Sequence, residues 1–272
     1  MMHCRKPNVL IIGAAGGIGR ATAEILCEKG FSVIAADKNA VKLHSLKESG
    51  LKHLTTVELD ISDRNGVLNM VTCFIEAGYS FKSLVVTAGI HNTHPVEYLT
   101  DNLIETVLDA NLISHIKLIR DLLPLINNGG SIVGVSSIAA CVGVPMSSLY
   151  SASKSGLEGF YESLHAEVAY RGINVSVIHP GNVDTGFNET GNSYEPTGNA
   201  FVDNRYKNVV SRIDSKYGID PRRVAGIIVK VISMKNPRFC YVVGINAKKA
   251  NWAKKLLGRD LALKLMSKFF GF

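Results

Sequence analysis

Short β-branched runs alternate along this chain with longer stretches of helical patterning. The runs Val9–Ile12, Ser32–Ala36, Leu54–Glu58, Ser83–Thr87, Ser131–Ser136, Asn174–Ile178 and Phe239–Val242 read as strands. Between them, Ile18–Lys29, Val41–Glu48, Arg64–Ala77, Asp101–Ile126, Tyr150–Arg171 and Pro221–Met234 read as helices. Strands apolar on both faces and separated by helices predict a parallel sheet covered on two sides. The expected fold is a Rossmann-type, doubly wound α/β domain in three layers, α/β/α. The alternation lapses between Phe187 and Tyr217, where Gly, Asn, Pro and Thr accumulate before a second polar helical stretch. Long irregular segments at strand ends of such folds form lids and binding loops, so 187–217 is expected to cover a substrate. Residues 1–247 are expected to form one catalytic domain and 248–272 a basic amphipathic extension.

Composition narrows the class. The 272 residues suffice for one large domain with a full core. The apolar stretch Val9–Ala15 is too short to span a bilayer or to serve as a signal-peptide core, so a cytoplasmic protein is expected. The five cysteines, Cys4, Cys27, Cys73, Cys141 and Cys240, are scattered with no CxxC or metal-ligand spacing, as reduced structural thiols would be. Charge is uneven. From Lys248 onward there are seven bases and one acid, which accounts for six of the chain's +7. The body is close to neutral and no nucleic-acid partner is expected.

Three sequence features carry chemistry. Tyr150-Ser-Ala-Ser-Lys154 puts a phenol and an ammonium one helical turn apart, where a cation favours the phenolate and lowers its pKa. Ser137 lies thirteen residues upstream, at the end of an apolar run. Gly13-Ala-Ala-Gly-Gly17-Ile-Gly19 follows the first strand and opens the first helix, the arrangement that lets a backbone approach a pyrophosphate. Asp37, eighteen residues after Gly19, is placed to bind both ribose hydroxyls of NAD and to repel the 2′-phosphate of NADP. Its other reading is a turn or helix-capping residue, and Lys38 beside it works against the repulsion.

Together Gly13, Gly17-Ile18-Gly19, Asp60-Ile61, Ala88-Gly89, Asn111, Ser137, Tyr150, Lys154 and Pro180-Gly181-Asn-Val183-Asp-Thr185 resemble the short-chain dehydrogenase/reductase family, in its single-domain branch of roughly 250 residues. The resemblance implies that Asp60 bonds the adenine and Ile61 packs on it, while Ala88 and Gly89 run beside the ribose. Thr185 would hold the nicotinamide carboxamide with Val183 near the ring. Tyr150 would move the hydroxyl proton, Lys154 would lower its pKa and hold the nicotinamide ribose, and Ser137 would bond the substrate oxygen. Asn111 matches the position that keeps a relay water, or is simply a polar helix residue. No metal is needed for such chemistry. Ile12 and Thr87 depart from the usual Thr and Asn, which puts local bracing of the sheet in question. By the same analogy the long helices 101–126 and 150–171 would pair in a homodimer or homotetramer.

The segment Ile138–Met146 carries no charge and is expected to wall the substrate cleft, with Val144, His91 and Phe187 as further substrate contacts. His91 and His94 read as loop residues touching substrate or solvent. An uncharged wall favours a substrate whose reacting half is apolar, and the end sequence Tyr241-Val-Val-Gly-Ile-Asn-Ala-Lys resembles family members that act on steroids and retinoids, which implies a lipid-, steroid- or retinoid-like substrate. Trp252, Ala253, Leu256 and Leu257 share one helical face of the tail, and Leu261, Ala262, Leu265, Met266 and Phe269 another. A basic amphipathic helix suits peripheral contact with an anionic membrane, and equally a tail packed over its own domain or a partner subunit. The leading expectation is an NAD-dependent secondary-alcohol dehydrogenase or ketone reductase. The alternatives are an NADPH-dependent carbonyl, acyl or polyketide reductase, and a non-catalytic dinucleotide sensor or membrane scaffold.

Overall fold

The computed structural model describes residues 8–187, 196–213 and 218–272. Seven parallel strands form the sheet: β1 (Asn8–Ile12), β2 (Ser32–Asp37), β3 (Leu54–Glu58), β4 (Phe81–Val86), β5 (Ile126–Val135), β6 (Asn174–Pro180) and β7 (Cys240–Val243), in the order β3-β2-β1-β4-β5-β6-β7. The helices are α1 (Gly17–Glu28), α2 (Ala40–Lys47), α3 (Arg64–Glu76), α4 (Asp101–Leu108), α5 (Ser114–Leu122), α6 (Ile138–Cys141), α7 (Ser148–Glu167), α8 (Ala200–Ile213), α9 (Pro221–Ile232) and α10 (Ile245–Phe270). Alternate side chains of a strand point to opposite faces, and the core divides accordingly. Leu10 and Ile12 pack with Phe74 of α3, Leu118 of α5 and Tyr161 of α7. Val9 and Ile11 pack on the other face with Leu26 of α1 and Ile228 of α9. The three-layer expectation holds.

Several boundaries differ from the sequence reading for identifiable reasons. The stretch 101–126 is not one helix: a π-helical turn at Asp109–Ile113 separates α4 from α5, and a 3-10 turn at Leu123–Leu125 ends it. Pro124 cannot continue the helical hydrogen-bond ladder. β5 therefore starts at Ile126, pairs with Phe81, and shifts register before regular pairing resumes at Ser131 with Ser83. α7 starts at Ser148 and stops at Glu167, where a 3-10 turn leads to Gly172 in the left-handed conformation.

The strand order reverses between β1 and β4, which opens a crevice at the carboxyl edge of the sheet, where doubly wound folds bind ligands. Part of the expected lid, 188–195 and 214–217, lies outside the described residues. Its polar helical stretch is α8. The tail forms α10, interrupted at Gly258, whose φ of 76° takes it out of the helix. Ala262 and Phe270 are the buried residues of the second half, whereas Leu261, Leu265 and Phe269 are exposed. The apolar positions of that half divide between an inner and an outer face.

Candidate active site

The glycine loop is held by backbone packing. Gly13 and Gly17 both have positive φ, and side chains there would collide with the backbone of Ala88 and with Thr185 Cγ2, at 2.5 and 2.3 Å. At Gly19 a Cβ would stand 2.0 Å from Gly13 O. α1 starts from Gly16 with no side-chain cap and no acid in its first turn, so its N-terminal amides face the cleft with their positive end unopposed. Such a cradle fits a pyrophosphate. Thr87 answers the question raised by its own departure: its hydroxyl donates towards Ile12 O and Gly13 O, at 3.0 and 2.8 Å, and ties β4 to β1.

Asp37 ends β2 at the rim of the same cleft. Its Oδ2 accepts from Ala15 N and its Oδ1 from Asn39 N, both at 2.9 Å. It is thus a turn-organising residue and a cleft residue at once, each oxygen keeping a further acceptor position. Lys38 Nζ lies 3.7 Å from Asp60 Oδ2. Asp60, Ile61, Ala88 and Gly89 line an adjoining cavity of about 100 Å³. The main cleft, about 310 Å³, runs from the glycine loop past Val183 and Thr185 to Ser137, Tyr150 and Lys154. Pro180 and Gly181 line it from the end of β6.

The chemical end is built by α6 and α7. Ser137 caps α6, its Oγ accepting from Ala139 N at 3.1 Å, and it hydrogen-bonds the Tyr150 phenol. Tyr150 and Lys154, one turn apart on α7, are both buried. Lys154 Nζ donates to Val135 O at 3.3 Å. Burial pushes the phenol up to about 12, with the Ser137 bond pulling the other way, and pushes the ammonium down to about 8. In the chain by itself the phenol's pKa thus rises where the sequence spacing suggested a fall, because desolvation outweighs the contribution of Ser137.

Other residues complete the setting. The His91 ring meets Tyr150 edge-on at 4.7 Å, and Phe187 lies 6.3 Å from both rings. Burial and the Lys154 charge hold His91 down at about 4, so it is neutral at physiological pH. Val144 lines the cleft as expected; His94 is not among the residues lining it, and its backbone N–H donates to Met146 O at 2.6 Å. Asn111 sits in the π-helical turn with its side chain fully engaged: Nδ2 donates to Ile90 O and Ser153 Oγ, and Oδ1 accepts from Ile90 N. The sequence reading missed His115, one turn further on. It is wholly buried, with Nε2 2.8 Å from Ala88 O, and is held down at about 3 by burial and by Lys154. Its i, i+4 relation to Asn111 was the available signal.

The sequence matches the short chain dehydrogenase family over residues 7–195. The chain belongs to the short-chain dehydrogenase/reductase family. It is an oxidoreductase of that family, with the family's nucleotide-binding Rossmann fold. It is similar to 3-ketodihydrosphingosine reductase of Bacteroides thetaiotaomicron, at 27% identity over 90% of this chain and 92% of that one. It is also similar to retinol dehydrogenase 8 of Bos taurus, at 30% identity over 85% and 79%. Among solved structures, 4-hydroxyisoleucine dehydrogenase complexed with NADH superposes with a TM-score of 0.71 at 27% identity, covering 88% of this chain and 97% of that one. Actinorhodin polyketide ketoreductase with NADPH gives the same TM-score at 24% identity, covering 88% and 95%. Short-chain dehydrogenases thus hold either nucleotide.

The buried ammonium gives a stability test. Below pH about 8 Lys154 is charged in both states, and the unfolded chain, with the ordinary pKa of 10.5, holds that proton more tightly. Its cost to folding is full below about pH 8 and fades as pH rises towards 10.5. Lys154→Met is expected to raise the unfolding free energy by about 2 kcal/mol at neutral pH, less than the whole shift because the bond to Val135 is also lost. The gain should shrink to near zero above about pH 10. Urea unfolding at the two pH values checks this, and an equal gain at both would contradict it.

Proposed function

We propose that this short-chain dehydrogenase transfers hydride between NAD(H) and a secondary alcohol or ketone whose reacting half is apolar. The observation that carries the proposal is the pair Tyr150 and Lys154, buried one turn apart on α7 with Ser137 beside the phenol, at the far end of a cleft that begins on the glycine loop. A bound nicotinamide ring supplies or accepts the hydride, and its oxidised form adds positive charge beside the phenol. The chain's own groups handle the proton. In reduction, Tyr150 O–H donates to the carbonyl oxygen as its carbon gains the hydride; in oxidation the phenolate takes the hydroxyl proton as hydride leaves. Ser137 donates to the same oxygen and stabilises the charge developing there. Lys154 holds ribose hydroxyls and keeps positive charge near the phenol. Asn111 clamps the loop after β4 against α7 and marks the inner end of a proton path from Lys154.

Asp37 supports NAD over NADP, since a carboxylate at the rim of the cleft would repel a 2′-phosphate there. Lys38, which lines the same cleft, has its Nζ 3.7 Å from Asp60 Oδ2, and that pairing draws on its charge. The substrate end is walled by Ile90, Ile138, Val144 and Phe187. Relatives named for a ketodihydrosphingosine and for retinol support an apolar substrate. The intact Ser137, Tyr150 and Lys154 set argues against a non-catalytic sensor. Self-association through α4, α5 and α7 belongs to the same reading, supported by the exposed Ile113 at the α4–α5 junction.

α10 extends the reading to a membrane. Trp252, Leu256, Leu261, Leu265 and Phe269 are all exposed, and exposed Lys248, Lys249, Lys264 and Lys268 accompany them. Among the described residues no helix is long and apolar enough to cross a bilayer. An anionic bilayer surface satisfies both the apolar and the basic groups, each base contributing about 1 kcal/mol.

Tyr150→Phe is expected to abolish turnover while leaving nucleotide affinity nearly unchanged, because only the transferable proton is removed. Steady-state rates and nucleotide titration check it; retention of more than a few per cent of the rate would sink the mechanism. Asp37→Ala should weaken NAD binding and move the NADP/NAD preference by about 1–3 kcal/mol in favour of NADP. A wild type that already prefers NADPH in direct competition would overturn the ribose assignment. Full-length protein should float with anionic liposomes at low salt and be released at high salt. Leu261→Ser/Leu265→Ser should float less, and equal flotation of the two proteins would exclude the tail as the contact.

A further inference from the structure

Behind Ser137 lies a second group of chemistry-bearing side chains that hydride transfer does not use. His179, next to last in β6, is fully buried. Its Nδ1 lies within hydrogen-bond reach of Cys141 Sγ at the end of α6, at 3.1 Å. On the other edge of the ring, Nε2 lies 3.3 Å from Glu158 Oε1 on α7, yet has no hydrogen-bond partner. The three elements thus bring together a thiol, a base beside it and an acid behind the base, the order that activates a cysteine as a nucleophile.

A thiol reacts as its thiolate, and an ordinary one keeps its proton at neutral pH. Burial holds His179 down at about 4, so the ring is neutral there and Nδ1 has a lone pair to receive that proton. The same burial means that the imidazolium, once formed, needs a compensating charge. Glu158 supplies it, standing at the nitrogen that carries the ring's own proton. Burial and the charge of Glu162 raise the Glu158 carboxyl, and Lys254 lowers it. Cys240 Sγ lies 3.8 Å from the same Nδ1, so Cys141 is the thiol nearer the base. Cys141 is half-buried, and with Lys254 it lines a cavity of about 220 Å³ between α6, α7 and α10. Much of the remaining lining is small and apolar, with Ala140, Val142, Ala152 and Leu263. Lys254 donates to Cys141 O, and an ammonium has two further protons to offer. A small uncharged electrophile finds there an apolar bed and one cationic donor for its carbonyl.

We propose that Cys141 is a nucleophilic thiol, with His179 as its base and Glu158 orienting the imidazole, and that it adds to small α,β-unsaturated ketones and aldehydes. Sulfur bonds to the β-carbon as the carbon–carbon π bond breaks, and the charge moves to the carbonyl oxygen, which Lys254 receives. The thiol proton, held meanwhile on Nδ1, goes to the α-carbon. The addition balances without an oxidant, a leaving group or a co-reactant, and it is separate from the hydride-transfer step. Cys141 and His179 stand 38 residues apart on different elements, which is why no short spacing in the sequence announced them.

The test treats full-length protein with limiting methyl vinyl ketone at neutral pH and reads the rate at each cysteine by peptide mapping. Cys73, an exposed thiol elsewhere, is the internal standard in every sample. In wild type Cys141, although less exposed, should react about tenfold faster than Cys73. That comparison needs no variant. Glu158→Gln should slow Cys141 about tenfold and leave Cys73 as it was. Lys254→Met should slow methyl vinyl ketone at Cys141 more than iodoacetamide, whose reaction puts no charge on a carbonyl oxygen. A wild-type rate at Cys141 no higher than at Cys73, a first modification at Cys240, or an unchanged rate in Glu158→Gln would each overturn the proposal. Equal slowing of the two reagents in Lys254→Met would overturn the choice of electrophile.

Discussion

The ammonium of Lys154 is the constraint around which the rest of the site is arranged. It is buried at the carboxyl edge of the sheet, and the chain itself offers it one backbone carbonyl, Val135 O. Its neighbours are chosen to tolerate that charge. His91 and His115, the two nearest imidazoles, are both held neutral by burial and by the ammonium itself. Gly89 has no side chain, and a Cβ there would come within 3.2 Å of Nζ and 3.0 Å of Asn111 Oδ1. The uncharged Asn111 completes the group. A lysine pushed down to about 8 by its own protein gains from any partner that brings hydroxyl acceptors to it. The same desolvation keeps Tyr150 protonated at neutral pH, ready to donate, and makes its ionisation depend on charge brought from outside the chain.

The glycine loop obeys a matching steric rule. Gly13, Gly17 and Gly19 each lie against another part of the crevice wall: Ala88, Thr185 and Gly13 O. Thr87 adds the hydrogen bonds that tie β1 to β4 at the switch point, from a residue shorter than the family's asparagine. The loop is therefore set by packing and bonding inside the chain, and the unopposed N-terminus of α1 follows from that placement.

What the sequence made legible was governed by local rules. Short runs apolar on both faces, the strand–glycine–helix junction and the four-residue Tyr150–Lys154 spacing each follow from backbone geometry. What it concealed depended on tertiary surroundings. The π-helical turn around Asn111 leaves no mark in a pattern read at 3.6 residues per turn. The rise of the Tyr150 pKa comes from burial, which spacing does not report. The dual work of Asp37, at the cleft and for Ala15 N, joins residues 22 apart. In the second half of α10, which of the apolar residues are covered is likewise a tertiary matter: Ala262 and Phe270 are buried, and Leu261, Leu265 and Phe269 are exposed.

That division of the tail has a mechanical consequence for the active site. Among the described residues α10 packs on β7, α6 and α8, while Leu261, Leu265 and Phe269 on its outer side stay exposed. Before the break at Gly258, Lys254 bonds the carbonyl of Cys141, the last residue of α6. Ser137 caps the opposite end of that helix, which has only four residues. So short a helix holds few internal hydrogen bonds and takes its position from what flanks it. Through Lys254 and Cys141, α10 is thus joined to the short turn that Ser137 caps. The tail is linked to the chemistry through backbone and packing, without contributing a side chain to the reacting centre.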